Sequence, residues 1–327
     1  MRVCNTLEAA RELDLRRTVV TLGVFDGVHV GHRMVIDQAR NLAHSRLGDL
    51  VVVTFARHPR ALIAKKAPEL LTNLPHRLRL FEDLGVDVAL VLPFDDALRS
   101  MEAASFAAKV FGEVLRAEVV VLGYNNRFGS GGRGDFDLLR DVGDRVGFQA
   151  IHSSEVRLGN VPISSTAIRE RIKGGQLDEA SLMLGRPVSV YGLVIPGDRI
   201  GRTLGFPTAN LNLQHELRPP RGVYGAEILL EGARFYGLVN IGVRPTISTL
   251  TPVSGVPHGG EDSGDRVEVH LLGYHGDLYG KWMEVCFLSR IRDEMAFPSL
   301  AELQAQIARD QESFGLWLAG SRRSTEK

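Results

Sequence analysis

The sequence is poor in cysteine. Cys4 and Cys286 are the only two in 327 residues, and they stand at opposite ends of the chain. That excludes a disulfide framework and any closely spaced zinc pattern, and it suits a reducing compartment. An excess of either charge is also missing: 39 Lys and Arg face 39 Asp and Glu. No global basic field therefore points to nucleic acid. No apolar run approaches membrane-spanning length. The opening stretch "MRVCNTLEAARELD" has no apolar h-region, so we expect no secretion and a cytoplasmic protein. Nor is there a G-x-x-x-x-G-K-[ST] pattern, so any phosphate site must be built differently from a P-loop.

What is present has globular proportions, with 44% hydrophobic and 24% charged residues. The length favours two domains. Up to Ser164 the chain alternates apolar runs with helical patterns. "TVVTLGVF", "LVVVTFA", "VDVALVLPF", "EVVVLGY" and "FQAIHSS" read as strands. "HRMVIDQARNLAHSR", "PHRLRLFEDLG", "EAASFAAKVFGEVLRA" and "DFDLLRDVG" read as helices. This alternation predicts an α/β domain with a parallel sheet covered on both faces. "SSTAIRERIKGGQLDEASLMLG" then reads as a helical stretch broken at Gly-Gly. From Pro187 the character changes to short strands and glycine turns, an antiparallel barrel or sandwich pattern. The chain closes on a helix, "SLAELQAQIARDQESFGLWLA". We place the domain boundary at 185/186, giving domains 1–185 and 186–327. The biased segment Ser248–Asp265 reads as a flexible surface loop.

The densest stretch is "GVFDGVHVGH", Gly23–His32. A strand, a glycine-rich turn and a helix start together make an anion site, where free backbone N–H groups and the helix dipole converge. His29 and His32 are i and i+3, neighbours on one face if the helix begins at or before His29. Two imidazoles there can donate to phosphate oxygens and stabilise charge on an attacked α-phosphate. The plainer alternative makes His29 a turn residue and His32 a helix start. Zinc is excluded because no third or fourth ligand joins the pair. Ser164, Ser165 and Thr166, with Arg169 one turn later, can bind an anion or can simply cap a helix. Gly129, Gly131 and Gly134 fit G-x-G-x-x-G, with Glu155 about 20 residues on, as an NAD fingerprint requires. They do not follow their strand immediately, which favours a loop over a ligand instead.

In the second half, Gly197, Gly201 and Gly205 allow close approach to phosphates, with Arg199 and Arg202 nearby. Thr208 and Asn210, two apart, point to one side of an extended segment. A hydroxyl and an amide carbonyl suit Mg²⁺ completed by water and phosphates. The alternative is a turn with a polar exit. In "RVEVHLL" Glu268 and His270 share the polar face. Glu268 is either a solvated surface residue or, if that face lines a pocket, a general base.

The motifs in order resemble those of the bacterial bifunctional riboflavin kinase/FMN adenylyltransferases, the FAD synthetases. The N-terminal half is similar to the H-x-G-H nucleotidyltransferases in "GVFDGVHVGH", "TFARHPR", "GYNNRFGSGGRGD" and "ISSTAIRERI". The second half resembles riboflavin kinase in "GFPTAN", "GVYGAEI", "NIGVRPT", "VEVHLL" and "RIRDEMAFPSLAELQAQIARD". The resemblance implies a Rossmann-like domain followed by a riboflavin-kinase-like barrel with a C-terminal helix. It implies ATP and Mg²⁺, with riboflavin, FMN and FAD as substrates and products. Gly23, Phe25, Asp26, Gly27, Gly31, His58, Asn125, Phe128, Ser164, Ser165, Thr166 and Arg169 would bind ATP or flavin in the first domain, around His29 and His32. Gly197, Gly201, Arg202, Gly205, Pro207, Gly222, Tyr224, Asn240, Arg292 and Glu294 would do so in the second, with Thr208 and Asn210 on Mg²⁺-ATP. Glu268 would activate the ribityl 5′-hydroxyl. The chain departs from the family at Asn126, usually aromatic, at Ile195, usually histidine, and in the longer Ser248–Asp265 segment. Two rivals remain. A class I aminoacyl-tRNA synthetase needs a K-M-S-K-S-like loop, and "ISSTAIR" stands in its place. A non-catalytic flavin sensor in the second half needs no Thr208, Asn210 or Glu268. Small molecules are the expected partners, without nucleic acid or membrane; a homo-oligomer is left open.

Overall fold

A computed structural model describes residues 1–57, 69–197, 206–243 and 265–325. It divides into two compact units. The first is Met1–Ile168 with Met183–Gly185, and the second is Arg169–Leu182 with Arg186–Lys327.

The first unit carries strands β1 (Arg2–Cys4), β2 (Thr18–Leu22), β3 (Leu50–Phe55), β4 (Val88–Leu92), β5 (Ala117–Leu122) and β6 (Gln149–His152). They form one sheet in the order β1-β4-β3-β2-β5-β6, every pair parallel. Helices α1 (Leu7–Arg11), α2 (Val30–Ser45), α3 (Leu74–Asp83), α4 (Asp96–Ser100), α5 (Ala103–Phe106) and α6 (Phe136–Val146) lie between them. α5 continues into a π-helical segment, Ala107–Val114. A small hairpin, β7 (Arg157–Leu158) and β8 (Val161–Pro162), follows β6.

Alternate side chains along each strand enter two separate cores. Val20, Val51, Val53 and Val120 pack with Phe106, Phe111 and Phe148 on one face. Val19, Val52, Val119 and Val121 pack with Ile36, Ala39 and Phe81 on the other. Burial on both faces is why these strands read as continuous apolar runs. The chain leaves β2 toward β3 on one side and later adds β5 on the other. The carboxyl ends of β2 and β5 therefore flank the switch point where open α/β sheets take ligands.

Two helices, α7 (Ser165–Lys173) and α8 (Leu177–Leu184), follow, parted by Gly174 and Gly175 as the Gly-Gly break predicts. The second unit's strands are β9 (Ser189–Ile195), β10 (Ala209–Asn212), β11 (Gly222–Leu230), β12 (Ala233–Val243), β13 (Asp265–Leu271) and β14 (Trp282–Arg292). They close into a barrel in the order β10-β13-β12-β11-β14-β9. Of the two architectures open to the sequence, the barrel is the one formed. Val190, Val194, Tyr224, Ile228, Val239, Val267, Val269 and Val285 are buried and alternate with residues of the outer wall. The last helix, α9 (Leu300–Thr325), lies on that wall. The Phe314 ring packs against Gly225 of β11, where any Cβ would overlap it.

Candidate functional site

In the first unit, the turn between β2 and α2 is held in a conformation its residues do not favour. Phe25 and Val28 have φ of 52° and 39°. Such strain persists only where the surroundings over-determine it, and here they do. The Phe25 ring, 3% exposed, meets Phe81 edge-on at 5.6 Å and His32 at 5.2 Å. Asp26 is buried, and its carboxylate accepts from the backbone N–H of Leu71 at 2.9 Å and of Thr72 at 3.0 Å. Thr72 Oγ1 accepts from the Gly27 N–H at 2.9 Å. Val24 O accepts from Arg77 Nη1 at 2.6 Å and from Thr54 Oγ1 at 3.2 Å. Arg77 Nη2 donates to Phe55 O at 2.8 Å. Burial pushes the Arg77 guanidinium down to about 10, partly offset by Asp26, which still leaves it charged at neutral pH.

α2 starts at Val30 with His29 as its N-cap; His29 Nδ1 accepts from the His32 N–H at 3.3 Å. With Nδ1 accepting, a neutral His29 carries its proton on Nε2. The His29 and His32 rings stack at 3.6 Å, 16° apart. The capped helix start thus gathers two imidazoles as the sequence requires, although the helix begins one residue later than His29. Ser165 Oγ donates to Asp26 O at 3.0 Å, tying "ISSTAIR" to the same turn. Ser164 Oγ caps α7 by accepting from the Ala167 N–H at 3.2 Å. Thr166 is exposed, and Arg169 opens the second unit.

At the end of β5, Asn125 is exposed, while Asn126 Nδ2 donates to Leu22 O at the end of β2. A phenylalanine here, with no polar hydrogen, could not make that bond. Phe128 is 5% exposed and packs among Phe106 and Phe111. The glycines after it form a loop closed by a Phe128–Gly134 bridge. α6 then starts at Phe136, its N-cap Asp135 accepting from the Leu138 N–H at 3.1 Å. That bond and Arg127 hold the Asp135 carboxyl below its usual range. A pyrophosphate at this helix start would face a carboxylate, which argues against the dinucleotide reading of G-x-G-x-x-G.

The second unit's candidate site is a row across strands. Asn210 of β10 stands opposite Glu268 of β13, and Glu268 opposite Asn240 of β12. Directly opposed residues share a face. Val267 and Val269 fill the barrel, so Glu268 stands on the outer wall, where it is half-buried. Ile195 faces Asn210 from β9 at the end of the row. Thr208 immediately precedes β10, and Asn210 is 9% exposed. The Asn210 amide fills the space a Cβ on Gly197 would need. Among the described residues no group of three or more His, Cys, Asp or Glu could hold a metal ion. The neutral oxygens of Thr208 and Asn210 fit a hard cation that brings its own phosphate ligands.

Arg292 and Glu294 follow at the end of β14. Arg292 Nε donates to both carboxylate oxygens of buried Asp310, and its guanidinium lies 5.7 Å from the Phe297 ring centre. The Glu294 carboxylate lies over Gly242. Tyr224 points inside the barrel, fully buried, with its hydroxyl donating to Pro220 O at 2.6 Å. Burial pushes that phenol up, and Arg290 moderates the effect. Gly222 begins β11, and exposed Pro207 precedes Thr208. His58, Arg199, Gly201, Arg202, Gly205 and nearly all of Ser248–Asp265 lie outside the described residues. Sequence reasoning did not find Arg77, Thr72 or Asp310. Each acts through a partner distant in sequence, and nothing local marks it.

Two family models match the chain, one described as FAD synthetase over residues 11–167 and one as riboflavin kinase over 184–318. The bifunctional riboflavin kinase/FMN adenylyltransferase of Escherichia coli K12 is 38% identical over 304 residues, spanning 91% of this chain and 93% of its own. The protein of that name from Bacillus subtilis 168 is 32% identical over 301 residues, 90% of this chain and 91% of its own. Among solved structures, a Streptococcus pneumoniae protein described as macrolide-efflux protein superposes with a TM-score of 0.74 at 28% identity. It covers 95% of this chain and 97% of its own.

Proposed function

The chain belongs to the bifunctional riboflavin kinase/FMN adenylyltransferase family, and from that premise we propose that it phosphorylates riboflavin to FMN and then adenylylates FMN to FAD. ATP is the co-substrate of both steps. Residues 1–185 carry the adenylyltransferase and 186–327 the kinase. Both work on small molecules in the cytoplasm, without nucleic-acid or membrane partners.

The row Asn210–Glu268–Asn240 carries the kinase reading. Glu268 takes the proton of the ribityl 5′-hydroxyl as that oxygen attacks the γ-phosphorus; the bond to the β,γ-bridging oxygen breaks and ADP leaves. Thr208 and Asn210 would hold Mg²⁺, which when bound neutralises phosphate charge. Arg292 and Glu294 lie toward the flavin. A non-catalytic sensor would have no use for Thr208, Asn210 and Glu268 together.

For the adenylyltransferase, the stacked His29–His32 pair at the start of α2 supports the reading. An FMN phosphate oxygen attacks the ATP α-phosphorus, and pyrophosphate leaves. His29 and His32 donate to the phosphate oxygens as charge builds there. Asn125, Ser164, Ser165, Thr166 and Arg169 supply further donors.

Two reciprocal variants test the assignment. His29→Ala should accumulate FMN from riboflavin and ATP, because losing one such donor costs on the order of 10²–10³ in rate. Glu268→Gln should slow FMN formation by roughly 10²–10⁴ while supplied FMN still becomes FAD. FAD formed at the wild-type rate by the first variant, or FMN by the second, removes that residue from its role.

A further inference from the structure

On the polar face of β13, His270 stands two residues beyond Glu268. The β10–β13 ladder pairs Ala209 with Val269 and Asn210 with Glu268. The same register, carried one step further, sets Thr208 opposite His270. Thr208 precedes the strand, and there the His270 side chain takes over from the ladder. Its Nδ1 bonds Pro207 O at 2.9 Å. Its ring meets the Phe206 ring edge-on at 5.5 Å. Its Nε2 lies 3.0 Å from Gln311 Nε2 of α9.

The two contacts suit one arrangement of the ring. A carbonyl only accepts, so Nδ1 donates to Pro207 O. An amide nitrogen only donates, so Nε2 accepts from Gln311. We propose that His270, braced by Gln311, is a positioning residue that sets the Phe206–Asn210 segment and hence how tightly the kinase holds ATP·Mg²⁺. The inference rests on the reading that Thr208 and Asn210 contact that ligand. It gives α9 a part in nucleotide binding through one side chain, Gln311.

The full-length protein tests this. His270→Ala removes both bonds, His270→Asn keeps an N–H donor for Pro207 O, and Gln311→Leu removes only the brace. In His270→Ala the half-saturating ATP·Mg²⁺ for FMN formation should rise about 5- to 30-fold, with riboflavin KM and FAD formation from supplied FMN changed by no more than about two-fold. Gln311→Leu should give a smaller rise of the same kind, and His270→Asn should recover most of the loss. Calorimetric titration with ADP and Mg²⁺, without turnover, should show the same ranking. Nitrogen-15 spectra of the wild-type imidazole should report a protonated Nδ1 and a bare Nε2. Unchanged nucleotide affinity in a folded His270→Ala protein overturns the proposal, as does the opposite tautomer. Thr208→Ala and Asn210→Ala separate the two ideas. If they weaken ADP·Mg²⁺ binding and His270→Ala does not, only the positioning role fails. If they too have no effect, the ligand assignment itself is wrong.

Discussion

Arg292 and Asp310 form a forked ion pair on the outer wall of the barrel. Arg292 Nε reaches the two carboxylate oxygens at 3.1 and 3.0 Å, and Nη2 lies 2.9 Å from Oδ2. Asp310 is 2% exposed, and Gln306 donates to it as well at 2.8 Å. A guanidinium held this way cannot swing toward solvent.

Asp310→Ala leaves a largely buried guanidinium without its counter-charge. Breaking such a pair costs roughly 3–5 kcal/mol, so thermal unfolding of the second unit should move down clearly. Riboflavin KM should rise because Arg292 is no longer oriented. Arg292→Lys should not rescue, since an ammonium lacks the planar fork. A melting curve and riboflavin KM identical to wild type would show that the pair does neither job.

Arg77 holds the turn between β2 and α2, where we place the phosphates, through Val24 O and Phe55 O. Arg77→Met keeps the bulk, takes the guanidinium donor from Phe55 O and leaves Val24 O with the weaker Thr54 hydroxyl. Each unsatisfied buried group costs about 1–3 kcal/mol. FAD formation from supplied FMN should fall by at least about ten-fold, for the strained Phe25 and Val28 conformations lose their restraint. Riboflavin phosphorylation, carried by the other unit, should stay near normal. Equal losses in both assays would count against a local role.

Asp135 makes the start of α6 sensitive to acid. Its folded carboxyl titrates below the usual range, mainly because of the Leu138 N–H. The unfolded chain therefore binds a proton first as pH falls. The stabilisation is fully present above about pH 3.9, the ordinary Asp value, and is lost as pH drops through the lower folded value. Amide exchange at Leu138 should accelerate in that window relative to the Asp135→Asn protein, whose cap does not titrate. Parallel pH profiles in the two proteins would contradict the cap's charge dependence.

Most of the fold can be read from the sequence because its burial is regular. β2 to β5 are near-continuous apolar runs since both faces of the sheet are covered, and Gly174-Gly175 marks the gap between α7 and α8. β1 is not legible: three residues, two of them exposed, say little until β4 lies beside them. The π-helical segment Ala107–Val114 looks like plain helix, because its apolar spacing suits either winding. At the sites, "VEVHLL" shows that Glu268 and His270 share a face. It cannot show that Asn210 and Asn240 flank Glu268, since register between strands is a long-range property. Asn126 reads as a departure from a family pattern, yet its amide fastens the end of β5 to the end of β2.

The division of the chain also bears on how the protein is made. The first unit is complete only when Met183–Gly185 arrive, the last of them accepting from Arg33 Nη1 at 3.0 Å. By then Arg169–Leu182 have already left the ribosome, and they belong to a unit whose barrel strands are still to be synthesised. Domains tend to fold as units in order of synthesis. Here a helical stretch must wait for the strands of its own unit through the translation of more than a hundred residues. Until those strands arrive, Ile172 and Ala180, buried in the finished protein, have no core of their own unit to enter, and the interval leaves apolar surface of the nascent chain open to a chaperone.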